Sequence, residues 1–390
     1  DMNQFLSLRL NRINNGLLQN FQFSADIDTK SFGAFGDVTL KVTDQLRLLG
    51  GLRYSSDKIV RSNFERFAIA PALGPVLCIP ANSQNIGGVQ ACQFTAAGAP
   101  VEAKYSKLNW KGGFEFDLAG DHMLFGTAST GYKSGGLSLA ATPAFKPELL
   151  TAFTLGMRNA FLDGNLVANF ELFYWLYDDH QEFLVGPDST GAVTQQFINA
   201  GKAEARGVSL DLMYRAGRND RFALSVEYND ASYKSFTYQQ SAQFTDPSTA
   251  CALTDTGRPA NDPRFNILSI DCGGLQLSRA PTWSGTASYS HDFNLANGGV
   301  ISAGVAGKFA SSRWTNVTFQ AGTRASAYQT VDANLTYTSP NEAVSIMAYV
   351  RNITEDAVYG NSNGHSVVSD LIGITVGAPR TYGVRVKYNF

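Results

Sequence analysis

Apolar and polar residues alternate one by one along much of this chain, and this period of two restricts its fold more than any other feature. In residues 165–177 one face is apolar and carries Leu166, Ala168, Phe170, Leu172, Tyr174 and Leu176. The alternation returns in residues 108–118, 208–214, 331–337 and 344–351. Because successive side chains of a strand point to opposite faces, the pattern predicts strands. Several runs exceed the five or six residues usual in soluble sheets and suit the roughly 9–11 that cross a bilayer at a tilt.

The predicted connections alternate in length. The short ones are rich in Gly, Asn and Asp, as hairpin turns are, and lie at Thr43–Gln45, Ala119–His122, Asp163–Gly164, Ala216–Asp220, Asp292–Gly298 and Thr338–Glu342. The long ones lie at Glu65–Lys104, Tyr132–Glu148, Asp178–Ala203, Thr237–Pro281, Ala310–Ala325 and Thr354–Arg380. We therefore predict an all-β, transmembrane, antiparallel up-and-down β-barrel with about 14 strands in this chain. Its long loops are expected to be extracellular and its C-terminus periplasmic.

Composition supports a membrane barrel and excludes other classes. Charged residues make up 16% of the chain, whereas soluble domains carry about a quarter. No apolar run reaches the roughly 18 residues of a membrane helix, so a helical membrane protein is excluded. The net charge of −2 gives no basic field for nucleic acid. Low charge and 12% aromatic residues fit strands that alternate between lipid and lumen.

Aromatic residues on the predicted outer face fall at the short-turn ends of their strands. They are Phe116, Tyr214, Tyr289, Tyr337 and Phe390. Aromatic rings at one height predict a girdle at the periplasmic membrane interface. The alternative, a soluble β-sandwich with aromatic core residues, would not need its aromatics at one height or its loops sorted by length.

The chain ends in an amphipathic strand, TYGVRVKYNF, at 381–390. Its apolar face carries Tyr382, Val384, Val386, Tyr388 and Phe390. A terminal aromatic on such a strand resembles the signal by which the barrel-assembly machinery recognises its clients. The physical basis is pairing of a free strand along an exposed sheet edge.

Several segments carry a family resemblance. GAPRTYGVRVKYNF at 377–390 resembles the closing strand of TonB-dependent receptors, the outer-membrane receptors for siderophores and other nutrients. So do VRNITEDAVYG (350–360), NAGKAEARGVSLDL (199–212), GYKSGG (131–136) with KPE (146–148), and the hairpin at 31–58. The resemblance follows the chain in order along nearly its whole length.

The resemblance implies a larger architecture than this chain contains. Family members have a plug domain in the lumen and a barrel of 22 strands, so residues 1–390 correspond to the C-terminal part of the barrel, without the plug and first strands. The chain is then a fragment or a truncated relative, and on its own it would have to close as a smaller barrel because a bilayer tolerates no open sheet edge. The implied partners are outer-membrane lipid, the barrel-assembly machinery, a small-molecule ligand, and a TonB-type energy-coupling complex acting through the absent plug.

The implied function is energised uptake of a scarce nutrient, with a ferric siderophore as the commonest cargo of the family. Aromatic and cationic residues at or beyond the rim are the candidate ligand contacts: Tyr132, Lys133, Tyr177, Phe183, Arg313, Trp314 and His365. Loop packing is the alternative for each of them. His180, within DDHQE at 178–182, suggests either a cation site or the polar start of a loop.

The four cysteines, Cys78, Cys92, Cys251 and Cys272, lie two in each of the longest predicted loops. Pairing within each loop, Cys78 with Cys92 and Cys251 with Cys272, is favoured among the three connectivities. The spacings do not match zinc sites, and neither loop pairs its cysteines with histidines, so no metal site or cofactor is predicted.

Three other functions stay open. A passive porin-like channel would close as a smaller barrel and conduct steadily. A barrel enzyme needs a nucleophile beside a base, and the sequence has neither GxSxG nor HExxH, so no enzyme is predicted. A surface adhesion protein needs no uptake. The apolar loop 69–80, with three prolines, indicates a partner contact or a folded lid.

Overall fold

A computed structural model describes residues 8–14, 17–69, 83–86, 89–95, 100–138, 144–187, 193–241, 248–256, 267–363 and 372–389. The first strands in chain order are β1 (Leu8–Asn14), β2 (Leu17–Lys41), β3 (Leu46–Ile69), β4 (Ser83–Ile86), β5 (Val89–Thr95), β6 (Val101–Asp117), β7 (His122–Lys133), β8 (Glu148–Phe161), β9 (Leu166–Asp178), β10 (Gln181–Pro187), β11 (Val193–Asn199), β12 (Ala203–Ala216) and β13 (Asp220–Tyr233).

The remaining strands are β14 (Thr237–Ser241), β15 (Ala252–Asp255), β16 (Ile267–Asp271), β17 (Trp283–Asn294), β18 (Val300–Ala310), β19 (Arg313–Trp314), β20 (Arg324–Ala325), β21 (Tyr328–Thr338), β22 (Val344–Arg351), β23 (Tyr359–Asn363), β24 (Gly373–Val376) and β25 (Thr381–Tyr388). In the described part of the chain, one 3-10 turn spans Ala321–Thr323. Among the described residues, no helix is long and apolar enough to cross a membrane.

Fourteen of the described strands form one continuous antiparallel path, which we call the wall. Their order is β1-β2-β3-β6-β7-β8-β9-β12-β13-β17-β18-β21-β22-β25. Each wall strand pairs with the next wall strand along the chain, so the connectivity is up-and-down, and the predicted architecture and strand number are confirmed. The hairpin β4–β5 extends the wall through β3.

Short turns join alternate wall strands at one end, which we call the short-turn end. They fall where the sequence places them, for example between β12 and β13 and between β17 and β18. Gly217 and Gly298 have φ values of +76° and +85° in these two turns. That left-handed conformation is unstrained only for glycine, so these residues allow the chain to reverse within a few positions.

The long connections meet at the opposite, long-loop end. The first is shorter than predicted, because β3 continues to Ile69 and β6 begins at Val101, inside the predicted loop Glu65–Lys104. The others contain small hairpins of their own, including β10–β11 and the three-stranded sheet β14-β16-β15. Residues 70–80 of the apolar loop lie outside the described residues.

The two faces of the wall differ in chemistry. On the apolar face, residues of neighbouring strands stand in register, as in the row Leu212, Leu224, Ala287, Gly307 and Val331. Many are exposed, with Leu52 at 58% and Leu108 at 56%.

On the polar face, Arg47 bridges two carboxylates, with Nε 2.9 Å from Glu115 and Nη1 2.5 Å from Asp117. Exposed apolar residues on one face and ion pairs on the other are typical of a wall between lipid and an aqueous lumen.

Part of the predicted aromatic girdle forms a continuous stack. Phe222 lies between Tyr214 and Tyr289, with ring centroids 6.2 Å and 4.5 Å away, on three adjacent strands. Tyr289 also donates a hydrogen bond from its hydroxyl to Asp220 at 2.7 Å. Phe116 and Tyr337 occupy the same face near the short-turn ends of β6 and β21. Phe390 lies outside the described residues.

Candidate ligand-facing site at the long-loop end

The main buried core of the described chain lies in its long loops rather than in its wall. The described residues of three connections, 179–202, 234–282 and 311–327, pack together in a unit that we call the loop cap. The core consists of Leu184, Ala200, Ala203, Tyr233, Phe236, Tyr238, Cys251, Ile270, Cys272, Trp314, Val317 and Phe319. Tyr233, Phe236 and Phe319 are fully buried. A core of this kind folds the loops into a fixed shape.

Covalent and backbone bonds join the loops of the cap to one another. Cys251 and Cys272 form a disulfide across the second loop. The amide of Ala250 donates to the carbonyl of Phe319 at 2.9 Å, and the amide of Arg279 donates to the carbonyl of Trp314 at 2.7 Å. The second and third loops therefore act as one unit.

A fourth connection, between β22 and β25, is attached to the cap by side-chain hydrogen bonds. Asn316 donates from Nδ2 to the carbonyl of Ser362 at 2.8 Å. The hydroxyls of Thr315 and Ser362 lie 2.6 Å apart. Arg313 donates from Nη2 to the carbonyl of Tyr359 at 2.5 Å, and its guanidinium lies over the Tyr328 ring. The cap therefore reaches the last wall strands.

A histidine held between two carboxylates joins the cap to the wall. His180 places Nδ1 2.9 Å from Glu148, at the start of β8, and Nε2 3.3 Å from Glu182, on β10. Tyr233, the last residue of β13, donates its hydroxyl to Glu182. We call these four residues the imidazolium clasp. Glu148 and Tyr233 come from two wall strands, Glu182 from the β10–β11 hairpin, and His180 from the connection just before that hairpin.

The protonation state of the clasp follows from its surroundings. Burial alone would lower the pKa of His180, but the carboxylates of Glu148 and Glu182 outweigh burial and raise the pKa to about 9. The imidazole therefore carries a positive charge at neutral pH and neutralises part of the negative charge of its neighbours. The backbone amide of Gln181 supports Glu148 by donating a hydrogen bond at 2.7 Å.

Three phenylalanines, of which two are exposed and Phe145 is half-buried, form a surface beside the clasp that we call the aromatic patch. Phe197, on β11, lies between Phe145 and Phe183, with ring centroids 5.1 Å and 5.3 Å away. Phe183 and Phe197 are each 41% exposed. Lys146, next to Phe145, has a side chain that is 70% exposed and lies 3.5 Å from the Asp179 carboxylate. The patch offers aromatic faces and a cation to a ligand that approaches from the long-loop end.

A polar recess of about 680 Å³ lies in the wall at β2, β3, β6 and β7. Its lining includes Asp37, Arg53, Asp57, Lys111 and Tyr132. The Tyr132 hydroxyl donates to Asp57 at 2.8 Å. Charges of both signs in one recess suit a polar or zwitterionic group better than a simple ion. Among the described residues, no group of three or more His, Cys, Asp or Glu could hold a metal ion.

Comparison with known proteins assigns this architecture to a family. The family model described as TonB dependent receptor-like, beta-barrel matches residues 3–353. The chain belongs to the TonB-dependent receptor family. The family consists of transporters and receptors rather than enzymes, and its solved neighbours are outer-membrane β-barrels of Gram-negative bacteria. No curated protein sequence matches the chain.

Solved receptors share this fold at low sequence identity. The ferric yersiniabactin uptake receptor FyuA from Yersinia pestis is 17% identical, with a TM-score of 0.65 over 96% of this chain and 47% of its own. The ferric-catecholate import receptor Fiu from E. coli K12 is 16% identical, with a TM-score of 0.61 over 95% and 45%. The copper transporter OprC is 14% identical, with a TM-score of 0.60 over 96% and 57%. The chain thus spans about half the length of these receptors.

The structure of the receptor barrel separates the predicted ligand residues into groups. Phe183 lies in the exposed aromatic patch, and Tyr132 lines the polar recess. Lys133 is exposed at the end of β7. Trp314 is buried in the core of the cap, and Tyr177 packs against that core, so both support the cap instead of facing a ligand.

The remaining predicted residues have mixed outcomes. Arg313 donates a hydrogen bond to the Tyr359 carbonyl. His365 lies outside the described residues. Cys92 is on β5, and its predicted partner Cys78 also lies outside them. Tyr382, Val384, Val386 and Tyr388 share one face of β25 and are 58–82% exposed.

Sequence reasoning missed the partners that give the site its shape. Most of these contacts join residues far apart in sequence, namely Phe145 with Phe197, Glu148 with His180, and Tyr233 with Glu182. The long connections are not enriched in aromatic or acidic residues relative to the rest of the chain, so composition gave no signal for these partners.

The glycines of the family motif GYKSGG have a packing role in this receptor barrel. A Cβ at Gly135 would collide with the Phe145 carbonyl and the Tyr105 ring, and one at Gly136 would collide with the Phe145 ring. Tyr105 donates its hydroxyl to that same carbonyl at 2.8 Å. The two glycines therefore allow the β7–β8 loop to approach the wall closely and fix Phe145 in the aromatic patch.

Proposed function

We propose that this chain supplies the wall and the ligand-facing end of an outer-membrane receptor that takes up a scarce nutrient, with a ferric siderophore as its cargo. The aromatic patch is the observation that carries the cargo assignment. Two of its rings, Phe183 and Phe197, are exposed near Lys146 at the end where the long loops gather. Anionic iron chelates with aromatic groups match both chemistries through stacking and charge. The similarity to FyuA and Fiu, both receptors for ferric chelates, supports the same class.

The orientation is part of the proposal. The long-loop end faces the outside of the cell, and the short turns and C-terminus face the periplasm, as in bacterial barrels generally. The other half of the receptor would contribute the early strands and the plug that couples uptake to the TonB-type complex. The polar recess, with its mixed charges, is the wall surface proposed to contact that plug.

A double variant of the aromatic patch tests the cargo assignment. Phe183→Ala with Phe197→Ala in the complete receptor should raise the Kd for a ferric catecholate roughly tenfold, since each lost aromatic contact is worth about 0.5–1.5 kcal/mol. Phe153→Ala is the matched control, because this ring is 44% exposed on the apolar face of the wall. Fluorescence quenching by the ferric chelate measures the Kd.

Growth and conductance separate the proposal from its rivals. A strain that lacks the receptor gene should regain growth on iron-limited medium with the intact gene and grow poorly with the double variant. Equal growth with the intact gene and with the double variant would mean that the aromatic patch does not contribute to cargo binding. Steady conductance of the intact receptor in a planar bilayer would favour the passive channel instead.

A further inference from the structure

The cation and the exposed rings of the candidate site come from two different connections. Phe145 and Lys146 belong to the β7–β8 loop, of which residues 134–138 and 144–147 are described. Phe183 and Phe197 belong to the β10–β11 hairpin. Within the described residues, no strand pairing joins this loop to the hairpin. The spacing between the cation and the rings therefore depends on side-chain contacts.

The side-chain amide of Asn199, the last residue of β11, provides one such contact. Its Oδ1 accepts a hydrogen bond from the Lys146 amide at 2.8 Å, and its Nδ2 donates to the Lys146 carbonyl at 2.9 Å. Nδ2 also donates to the carbonyl of Asp179 at 2.8 Å. A carboxamide carries a donor and an acceptor side by side, so it pairs with the backbone of Lys146 as a neighbouring strand would.

A second amide, that of Gln181, lies directly opposite Asn199 at the base of the hairpin. Its Nε2 donates to the carbonyl of Ser134 at 2.9 Å and to the carbonyl of Lys146 at 3.0 Å. Gln181 is only 6% exposed, so water is a poor substitute for these bonds. The two amides together hold the loop near both of its ends.

The remaining bonds of the loop run mainly to the wall or within the loop. The Tyr105 hydroxyl donates to the Phe145 carbonyl at 2.8 Å, and the backbones of Gly136 and Phe145 exchange hydrogen bonds at 3.1 and 3.0 Å. The Phe197 amide donates to the Ser138 hydroxyl at 3.3 Å, a longer link to the hairpin. The wall therefore orders the loop, and the two amides set its distance from the hairpin.

We propose that Asn199 and Gln181 are positioning residues for the cargo site. By fixing Lys146 relative to Phe183 and Phe197, they present a cation and aromatic faces as one preassembled surface. A ligand that meets such a surface does not have to order the loops when it binds, so its affinity is higher. The inference rests on the proposed function, because it assigns roles around the aromatic patch.

Asn199→Leu in the complete receptor tests the inference, since leucine has a similar size but neither a donor nor an acceptor. The Kd for a ferric catecholate should rise about fivefold or more, because loss of the amide bonds lets the loop leave its binding arrangement. Gln181→Met is a second variant with the same expected direction. Fluorescence quenching measures both Kd values.

Asn316→Leu is the matched control. The Asn316 amide also joins two connections, since its Nδ2 donates to the Ser362 carbonyl at 2.8 Å and its Oδ1 accepts from the Thr318 amide at 2.9 Å. These partners belong neither to the β7–β8 loop nor to the β10–β11 hairpin. The control should therefore change the Kd by less than about twofold.

A double-mutant cycle separates positioning from general stability. In a receptor that already carries Phe145→Ala and Lys146→Gln, Asn199→Leu should change the Kd by less than about twofold, because the groups that it positions are gone. Reduced mobility on unboiled gels checks that each variant is folded. A loss of equal size in both backgrounds, or no loss in the otherwise unchanged receptor, would overturn the inference.

Two measurements on the same samples complete the test. Hydrogen exchange of residues 144–150 should be faster in Asn199→Leu, because the Lys146 amide loses its acceptor, and unchanged exchange there would contradict the positioning role. Phe183→Ala with Phe197→Ala reports on the proposed function. Weaker binding by that double variant without weaker binding by Asn199→Leu refutes only the positioning roles. Unchanged binding by the double variant refutes the cargo site and the inference with it.

Discussion

The wall and the loop cap differ in where they place their apolar side chains. The wall exposes its apolar residues, with Leu52 at 58% and Val38 at 63%, whereas the cap buries Phe236 and Phe319 completely. The wall uses lipid as its apolar partner and satisfies its backbone by pairing strand to strand. The cap stands in water and must make its own interior. Burial of apolar side chains therefore stabilises the cap but not the wall.

The ionic contacts of the two regions also differ, being solvent-exposed in the wall and buried in the clasp. In the wall, the Arg206–Asp230 pair has side chains that are 61% and 43% exposed. In the cap, His180, Glu148 and Glu182 have side chains that are only 10–16% exposed. A solvated pair is worth little, whereas removing one partner of a buried pair leaves an uncompensated charge. The clasp should therefore matter far more than the pairs on the wall.

Truncation of a buried cap residue should give the largest effect. Phe236→Ala removes a fully buried ring that contacts Tyr233 and Tyr238, and should lower the free energy of unfolding of the cap by about 3–5 kcal/mol. Hydrogen exchange at residues 234–241 and 267–277 measures the change. The wall strand β8 should keep its protection.

Phe153→Ala is the matched truncation in the wall. This ring is 44% exposed on the apolar face, so its loss should change exchange in the cap and wall very little. Equal destabilisation by Phe153→Ala and Phe236→Ala would contradict the division between a lipid-solvated wall and a water-excluding cap.

A charge on each face of one strand tests the wall itself. Val226→Arg places a cation on the apolar face of β13, opposite Leu210, and should destabilise the folded barrel in vesicles by about 2–4 kcal/mol. Ser225→Arg places the same cation on the polar face one residue earlier and should be nearly neutral. Denaturant titration of the folded fraction on unboiled gels measures both. Equal costs would mean that β13 does not separate lipid from water.

Much of the wall could be predicted from sequence, because the two faces of a strand appear as alternating apolar and polar residues with a period of two. The rows through Val208, Leu210 and Leu212 and the turn at Gly217 follow directly from local pattern. The cap could not be predicted in this way. His180 contacts Glu148, and Phe319 packs with Tyr233, through non-local contacts with no period to reveal them. The cysteines 251 and 272 were the one local sign that this loop has a fixed shape.

The pH dependence of the clasp should give an intermediate effect. The folded pKa of His180 is raised from about 6.5 to about 9, so its contribution is complete below pH 6.5 and is lost as the pH rises through 9. The shift corresponds to about 3 kcal/mol at most. Limited proteolysis of the cap between pH 6 and 10 measures this loss. The protease should cleave the cap of the His180→Gln variant faster than that of the wild type at pH 6, and at a similar rate above pH 9.5. A constant difference across that range would assign the effect to packing rather than to charge.

The exposed pair on the wall should give the smallest effect. Arg206→Gln removes a guanidinium that donates from both Nε and Nη2 to Asp230, at 3.0 and 2.9 Å, yet water replaces these bonds readily because both side chains are exposed. The denaturant midpoint of the folded barrel should therefore be unchanged, whereas His180→Gln lowers the protease resistance of the cap at the same pH. A clear loss of stability for Arg206→Gln would mean that β12 and β13 are more shielded from water at this height than their exposure indicates.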